Sequence, residues 1–246
     1  MAKDGHRHVL AIGGLRGPER IGVNRQGAPL LLAYAARLSG ARSPRICLLN
    51  TAMGDDPSAY VRAYQLLGSL AGTHTHLQLF PMPNVSDPED LLLSQDVIFV
   101  GGGSVANMLA VWRVHGVDVI MRKAWQAGIV LSGVSAGAIC WFSGGTTDSF
   151  GVELRPFNDG LGMFAPSYCP HYDSEPRRRP LYQSLVAGGS LPAGIACDDG
   201  AAAHFIDGEL DAIVTDSAEA GGYFVERSAE GKALETVLES RQLAGR

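Results

Sequence analysis

Cysteine is scarce: Cys47, Cys140, Cys169 and Cys197 are the four in 246 residues, and no two stand in a C-x-x-C pair. That spacing argues against a zinc ribbon or a disulfide framework and for free thiols in a core. Positive charge is not in surplus either. Twenty Lys and Arg against 25 Asp and Glu leave a formal net charge of −5, so the chain lacks the broad basic surface that nucleic acid demands. No run approaches the ~20 apolar residues that cross a bilayer, and the opening MAKDGHRHVLAIGG has no apolar stretch of signal-peptide length. A cytoplasmic protein without membrane or nucleic-acid partners is expected. No Pro- or Ser-rich linker interrupts the sequence, and 246 residues suffice for one large domain or two small ones with a substantial core.

What is present is concentrated in GIVLSGVSAGAICWF, Gly128 to Phe142. Ile129 to Leu131 reads as a short buried strand, and from Ala136 small apolar residues predict a helix that packs close to a sheet. Between them, Gly133, Val134, Ser135, Ala136 and Gly137 fit G-x-S-x-G, the nucleophile elbow. Small residues two before and two after the serine permit a tight turn that lifts the hydroxyl above the strand. The helix start would add amides and a positive dipole end for a developing negative charge. With 31 Gly in the chain the motif can arise by chance, and the flanking strand and helix are what give it weight.

Strands and helices alternate from residue 8 to 142. Apolar strands are predicted at His8 to Ile12, Arg45 to Asn50 and Val97 to Val100, and an alternating one at Thr73 to Phe80. Helices are expected at Pro29 to Ser39, Pro57 to Gly72, Asp87 to Leu93 and Val105 to His115. This order implies a parallel sheet covered on both faces, with sites at the C-terminal strand ends. The loops after Gly13, after Val100 (Gly101, Gly102, Gly103) and at Ser135 should then share one rim. The loop LRGPERIG near Gly13 carries Arg16, Glu19 and Arg20. The glycine loop lacks a P-loop lysine and the full G-x-G-x-x-G, so it reads as a second oxyanion donor, not a phosphate cradle. Beyond Trp141 short hairpin strands are expected, then a helix through Val186 and a strand from Gly194 to Cys197. An antiparallel meander (Ala202–Ile206, Leu210–Val214, Gly222–Glu226) and a charged, helix-prone tail follow.

A serine nucleophile needs a base and an orienting acid. Of the seven histidines, His6 and His8 lie at the first strand, His74 and His76 on the polar face of another, and His115 ends a helix. His74 and His76 lack a third metal ligand and read as solvent-facing, so no metal is expected. His204 is flanked by apolar residues within a strand, which leaves the loop residue His171. Asp148, Asp173, Asp198 and Asp199 are candidates for the acid. Asp198 and Asp199 end a buried strand, and Asp148 is their rival. The order Ser, His, Asp differs from the Ser, acid, His of α/β-hydrolases and disfavours an ordinary lipase or esterase.

The runs VGGGSVANML, GVSAGA, PHYDSE and DDGAAAHF, in that order, resemble the peptidase E family of aspartyl dipeptidases, which also contains cyanophycinase. The resemblance covers about residues 8 to 226 and implies one domain over 1–246, with a core from 8 to 226 and a tail from 227 to 246. It implies a three-layer α/β sandwich with a mostly parallel central sheet, a class I glutamine amidotransferase-like (flavodoxin-like) fold in which serine replaces cysteine. By resemblance Ser135 is the nucleophile, His171 the base, and Gly102 and Gly103 with the Ala136 amide the oxyanion hole. The family's acid, a Glu before Gly, falls on Asp199, with Asp198 as a substitute. Asn107 is the polar residue of the glycine-loop motif, and Ile139 stands where the elbow motif often has Asn. The implied activity is a serine-type exopeptidase cutting dipeptides with N-terminal aspartate. Alternatives are isoaspartyl or cyanophycin-like peptides, an ester, a glutaminase or a non-catalytic binding domain. An aspartate substrate calls for a cation, and Arg16, Arg177, Arg178 and Arg179 are the candidates. A small peptide is the expected partner, no cofactor is expected, and a homodimer is the default assembly.

Overall fold

β1 (His8–Ile12) is buried at every position, and its side chains alternate between two cores: Val9 and Ala11 on one face of the sheet, Leu10 and Ile12 on the other. A strand buried on both faces must be apolar throughout, which is why these residues read as a central parallel strand. The computed structural model describes residues 5–17, 19 and 21–245. Arg20, and the ends of the expected 1–246 domain, lie outside them.

Eight strands form the central sheet in the order β14-β11-β10-β1-β5-β4-β2-β3. β2 (Arg45–Leu49), β3 (Thr73–Leu77), β4 (Val97–Val100) and β5 (Val130–Val134) run parallel with β1. β10 (Ala201–Ile206) and β11 (Glu209–Thr215) extend the sheet antiparallel. One face packs on α1 (Leu30–Leu38) and α2 (Pro57–Leu67). The other packs on α3 (Pro88–Leu93), α4 (Val105–His115) and α5 (Val117–Gln126). Asp56 and Asp87 cap α2 and α3 by accepting from amides of the first turn, each followed by Pro.

A second sheet of six strands, β13-β12-β9-β8-β6-β7, lies beyond that face. It comprises β6 (Phe142–Thr147), β7 (Arg155–Phe157), β8 (Phe164–Cys169), β9 (Gly194–Cys197), β12 (Gly222–Arg227) and β13 (Ala233–Leu238), with α7 (Arg178–Ala187) packed on it. Three expectations are corrected here. The helix after Ser135 is only α6 (Ala136–Ile139), because Trp141 and Phe142, both fully buried, carry the chain straight into β6. The final meander is split, with β10 and β11 joining the central sheet and β12 pairing with β9. The helix-prone tail is extended: β13 pairs with β12, and β14 (Ser240–Gln242) pairs with β11. Open strand edges and the alternation of Ala233 and Glu235 with the exposed Leu234 and Thr236 override helix propensity.

The two sheets meet through aromatic rings. Phe142 stacks on Tyr168 at 4.8 Å between centroids, and Phe164 lies 4.5 Å from Phe205 of β10. The Tyr168 hydroxyl, with no solvent exposure, donates to the Ala11 carbonyl of β1 at 2.9 Å and so ties β8 to the central strand. Tyr168→Phe keeps the ring and removes that bond. Urea unfolding should show a loss of about 1 kcal/mol, with an unchanged m-value.

Candidate active site

Ser135 follows β5 with φ 55° and ψ −115°, a conformation that costs a side-chain-bearing residue energy and is held by its surroundings. Its amide donates to the Ile12 carbonyl at 3.1 Å, and its carbonyl accepts from Ala138 and Ile139. The motif glycines are required by backbone approach. A Cβ on Gly133 would collide with the Gly137 carbonyl, and one on Gly137 with the Val100 carbonyl of β4. The elbow is therefore wedged between strands, with no space at these two positions for a side chain.

β4 ends beside it in Gly101, Gly102 and Gly103. Gly103 has φ 131°, and a Cβ there would strike the Ala52 carbonyl, so the loop needs glycine. A Cβ on Gly102 would lie 3.2 Å from the Ser135 Cβ. Among the described residues, none accepts a hydrogen bond from the amides of Gly102, Gly103 or Ala136. Four residues of α6 make a weak macrodipole, so individual amides are what this rim offers an anion.

His171 leaves β8 by way of Pro170, and its Nδ1–H donates to Asp199 Oδ1 at 2.7 Å. A carboxylate can only accept, which fixes the proton on Nδ1 and leaves Nε2 as the basic nitrogen of the neutral ring. Burial pushes the Asp199 carboxyl up, but the His171 hydrogen bond and charge, the Ser174 hydroxyl and Arg16 outweigh it and hold it below the usual aspartate range. The Asp199 amide donates to Asp173 Oδ1 at 2.8 Å. Gly14, after β1, bridges to Asp199, and a Cβ there would overlap Asp199 Oδ1 and stand 2.6 Å from His171 Nδ1. The Gly14 contact escaped the sequence reading. A glycine pair at a strand end was its one visible sign.

The acid candidates thus differ in what their carboxylates meet: Asp173 takes the Asp199 amide. Asp199 meets His171. Asp198 turns away, accepting from the Gly221 amide at 2.9 Å and the Tyr223 hydroxyl at 3.2 Å, with Oδ1 unpartnered. Asp148 lines a cleft of about 290 Å³ with Ser135, Gly103, Ser104, Ser149, Glu175 and Arg178.

Arg178 is the arginine of that cleft. It is 3% exposed, with Nε donating to Glu175 Oε2 at 2.7 Å and Nη1 to the Thr146 carbonyl at 2.7 Å. Arg177 is exposed, pairs with Glu153 at 3.2 Å, and lines an adjoining cleft that shares Asp148 and Glu175. Arg179 lies elsewhere, on Glu235 of β13. Arg16 donates to the Asp199 carbonyl at 3.1 Å and lines a different cleft with Asp173, Ser174 and Glu219. The Asn107 side chain is exposed on the first turn of α4.

His74 and His76 do not face open solvent. They share the face of Ile46 and Leu48, and His76 is covered by Tyr60 and Tyr64, the Tyr64 hydroxyl lying 2.8 Å from its Nδ1. Burial lowers the His74 pKa. His204 is buried against His8 (3.0 Å) and Tyr34 (3.1 Å), and burial, with His8 beside it, pushes it down to about 4. Among the described residues no three His, Cys, Asp or Glu form a metal-holding group, and no helix is long and apolar enough to cross a membrane. All four cysteines are buried and free, and burial raises every thiol, Cys140 included, so none is poised as a thiolate nucleophile.

A mostly parallel sheet within layered α/β architecture, a strained serine elbow and a glycine loop at its C-terminal rim define a flavodoxin-like, glutamine amidotransferase-like class of α/β protein. The chain belongs to peptidase family S51, whose model matches residues 25–213, and is a peptidase. It is 43% identical over 194 residues to uncharacterized peptidase YgaJ of Bacillus subtilis, covering 78% of this chain and 82% of that one. Peptidase E of Shewanella denitrificans is 29% identical over 135 residues, 51% of this chain and 57% of its own. The crystal structure of a peptidase from an acI-B1 Actinobacterium superposes with a TM-score of 0.64 at 15% identity over 96% of this chain and 95% of that one, which shows the shared fold.

Asp198 yields a pH test. Burial, aided by Asp173, raises its carboxyl from 3.8 to about 6. A carboxyl that binds its proton more tightly when folded stabilises the protein below its unfolded pKa, and that contribution is lost as pH rises through the folded value. Between pH 3.8 and about 6 the wild type should lose stability relative to Asp198→Asn, as thermal unfolding of the two across that window would measure.

Proposed function

We propose that the protein is a serine-type exopeptidase that cuts short peptides after an N-terminal residue, aspartate foremost. One observation carries this reading: a strained Ser135 at the strand-end rim that also holds a hydrogen-bonded His171–Asp199 pair. In this mechanism His171 takes the Ser135 proton at Nε2 as the hydroxyl attacks the scissile carbonyl. Asp199 holds the ring in the required tautomer and steadies the imidazolium. The amides of Gly103 and Ala136, with Gly102 beside them, receive the oxyanion. The imidazolium then protonates the leaving amine, and water attacks the acyl-enzyme by the same base.

The charges of the cleft support the substrate. Arg178 is its cation, and a substrate β-carboxylate would compete with Glu175 for the guanidinium fork. Asp148 has no ion-pair partner among the described residues, which suits it to the free α-ammonium that defines an exopeptidase substrate.

Leucine release from Asp-Leu, beside Glu-Leu, Ala-Leu, β-Asp-Leu and N-acetyl-Asp-Leu, tests the proposal. Asp-Leu should be preferred and the acetylated peptide resisted. Ser135→Ala and Asp199→Asn should each lower kcat by ~10³ or more. Full turnover in Ser135→Ala would sink the mechanism, and equal cleavage of the acetylated peptide would remove the exopeptidase assignment. Wild-type protein that cuts no peptide and whose Ser135 resists a fluorophosphonate would overturn the reading as a whole.

A further inference from the structure

Strand β13 lies in the tail, outside the motif-bearing part of the chain, and on its inward face carries Glu235, opposite Val225 of β12. Its carboxylate is 16% exposed and accepts from three side chains. Oε2 takes the Tyr172 hydroxyl at 2.6 Å, the Gln183 amide at 2.8 Å and Arg179 Nε at 3.2 Å, while Oε1 takes Arg179 Nη2. Burial alone would raise this carboxyl, and these donors turn the balance and lower it. It is an ion held by a full set of partners, unlike an edge-strand glutamate in water.

The partners lead to the active site by two routes. Tyr172 is the residue after His171, is 2% exposed, and is pinned at its amide to the Cys197 carbonyl at 3.1 Å. His171 itself has φ 52°, so the turn that presents the imidazole depends on what anchors it. Arg179 stands over the rings of Tyr172 at 5.1 Å and Tyr223 at 4.9 Å, and the Tyr223 hydroxyl donates to Asp198, the neighbour of Asp199. One carboxylate thus braces the residue after the imidazole and, through a cation and a second tyrosine, the residue before the Asp199 carboxylate.

We infer that Glu235 is a positioning residue that holds the His171–Asp199 pair in register with Ser135, which makes strand β13 of the tail a support of the catalytic apparatus. This rests on the serine peptidase reading for its kinetic consequence alone, since the geometry of the pair has a readout of its own. Replacing the carboxylate with an amide leaves the strand and its shape but removes the charge that gathers Tyr172 and Arg179. The imidazole then samples other orientations, and the loss falls on the chemical step, not on peptide binding.

The test uses full-length Glu235→Gln, Tyr172→Phe and the double variant, each well below its melting temperature. The Nδ1–H of His171, bonded to Asp199, is to be sought as a downfield proton resonance and assigned by its absence in His171→Ala. It should be present in the wild type and exchange-broadened in Glu235→Gln. On Asp-Leu, kcat should fall about tenfold with KM within about twofold. Fluorophosphonate labelling of Ser135 should slow by the same factor. The double variant should lose no more than the worse single one, because both cut the same link. An absent wild-type resonance, an unchanged one in Glu235→Gln, or unchanged kcat with only a lowered melting temperature would overturn the inference. Wild-type protein that shows the resonance yet cleaves no peptide would instead overturn the peptidase mechanism and leave the positioning role intact.

Discussion

The turn at Ser135 is the constraint on which the rest of the structure depends. A serine with φ 55° persists only where its neighbours leave the chain no other course. Here Gly137 packs against the Val100 carbonyl and Gly133 against the Gly137 carbonyl, so β4, β5 and α6 lock the elbow from three sides. Because β5 lies between β1 and β4, the serine emerges at the middle of the rim, with the glycine loop on one flank and Gly14 on the other.

The second sheet completes what the first begins. His171 leaves β8 and Asp199 follows β9, both strands of the outer sheet, yet their side chains meet over Gly14 of the central one. Their placement relative to Ser135 is set by how the sheets pack, through Phe142, Phe164, Tyr168 and Phe205 and the hydroxyl bond from Tyr168 to Ala11. Interiors this tightly packed transmit small displacements, so a change in the aromatic layer reaches the rim as a change in the distance between His171 and Ser135.

Two consecutive aspartates show how local partners decide charge. Asp198 and Asp199 end the same strand, and alternation sends their side chains apart. Asp199 meets an imidazole, a hydroxyl and an arginine and stays ionised. Asp198 enters a site with one amide and one phenol, close to Asp173, where ionisation is resisted. The same residue type in adjacent positions therefore serves two electrostatic states.

The sequence by itself determined the central parallel strands, four helices up to His115 and the tight G-x-S-x-G turn with its glycines, while α5 went unread. Each is a local property: apolar runs, caps, and steric demands within five residues. Residue spacing leaves the partner of His171 open among Asp148, Asp173, Asp198 and Asp199, since facing direction at the end of a strand depends on which neighbour lies opposite. The tail is helix-prone by composition yet extended, because its pairing partners, β12 and β11, lie in two different sheets. Tertiary structure alone decided that Gly14 must be bare to seat Asp199 and His171, that Arg178 borders the serine while Arg179 does not, and that Glu235 closes on Tyr172. Those contacts join residues tens to hundreds of positions apart, and no local propensity encodes a distance across two packed sheets.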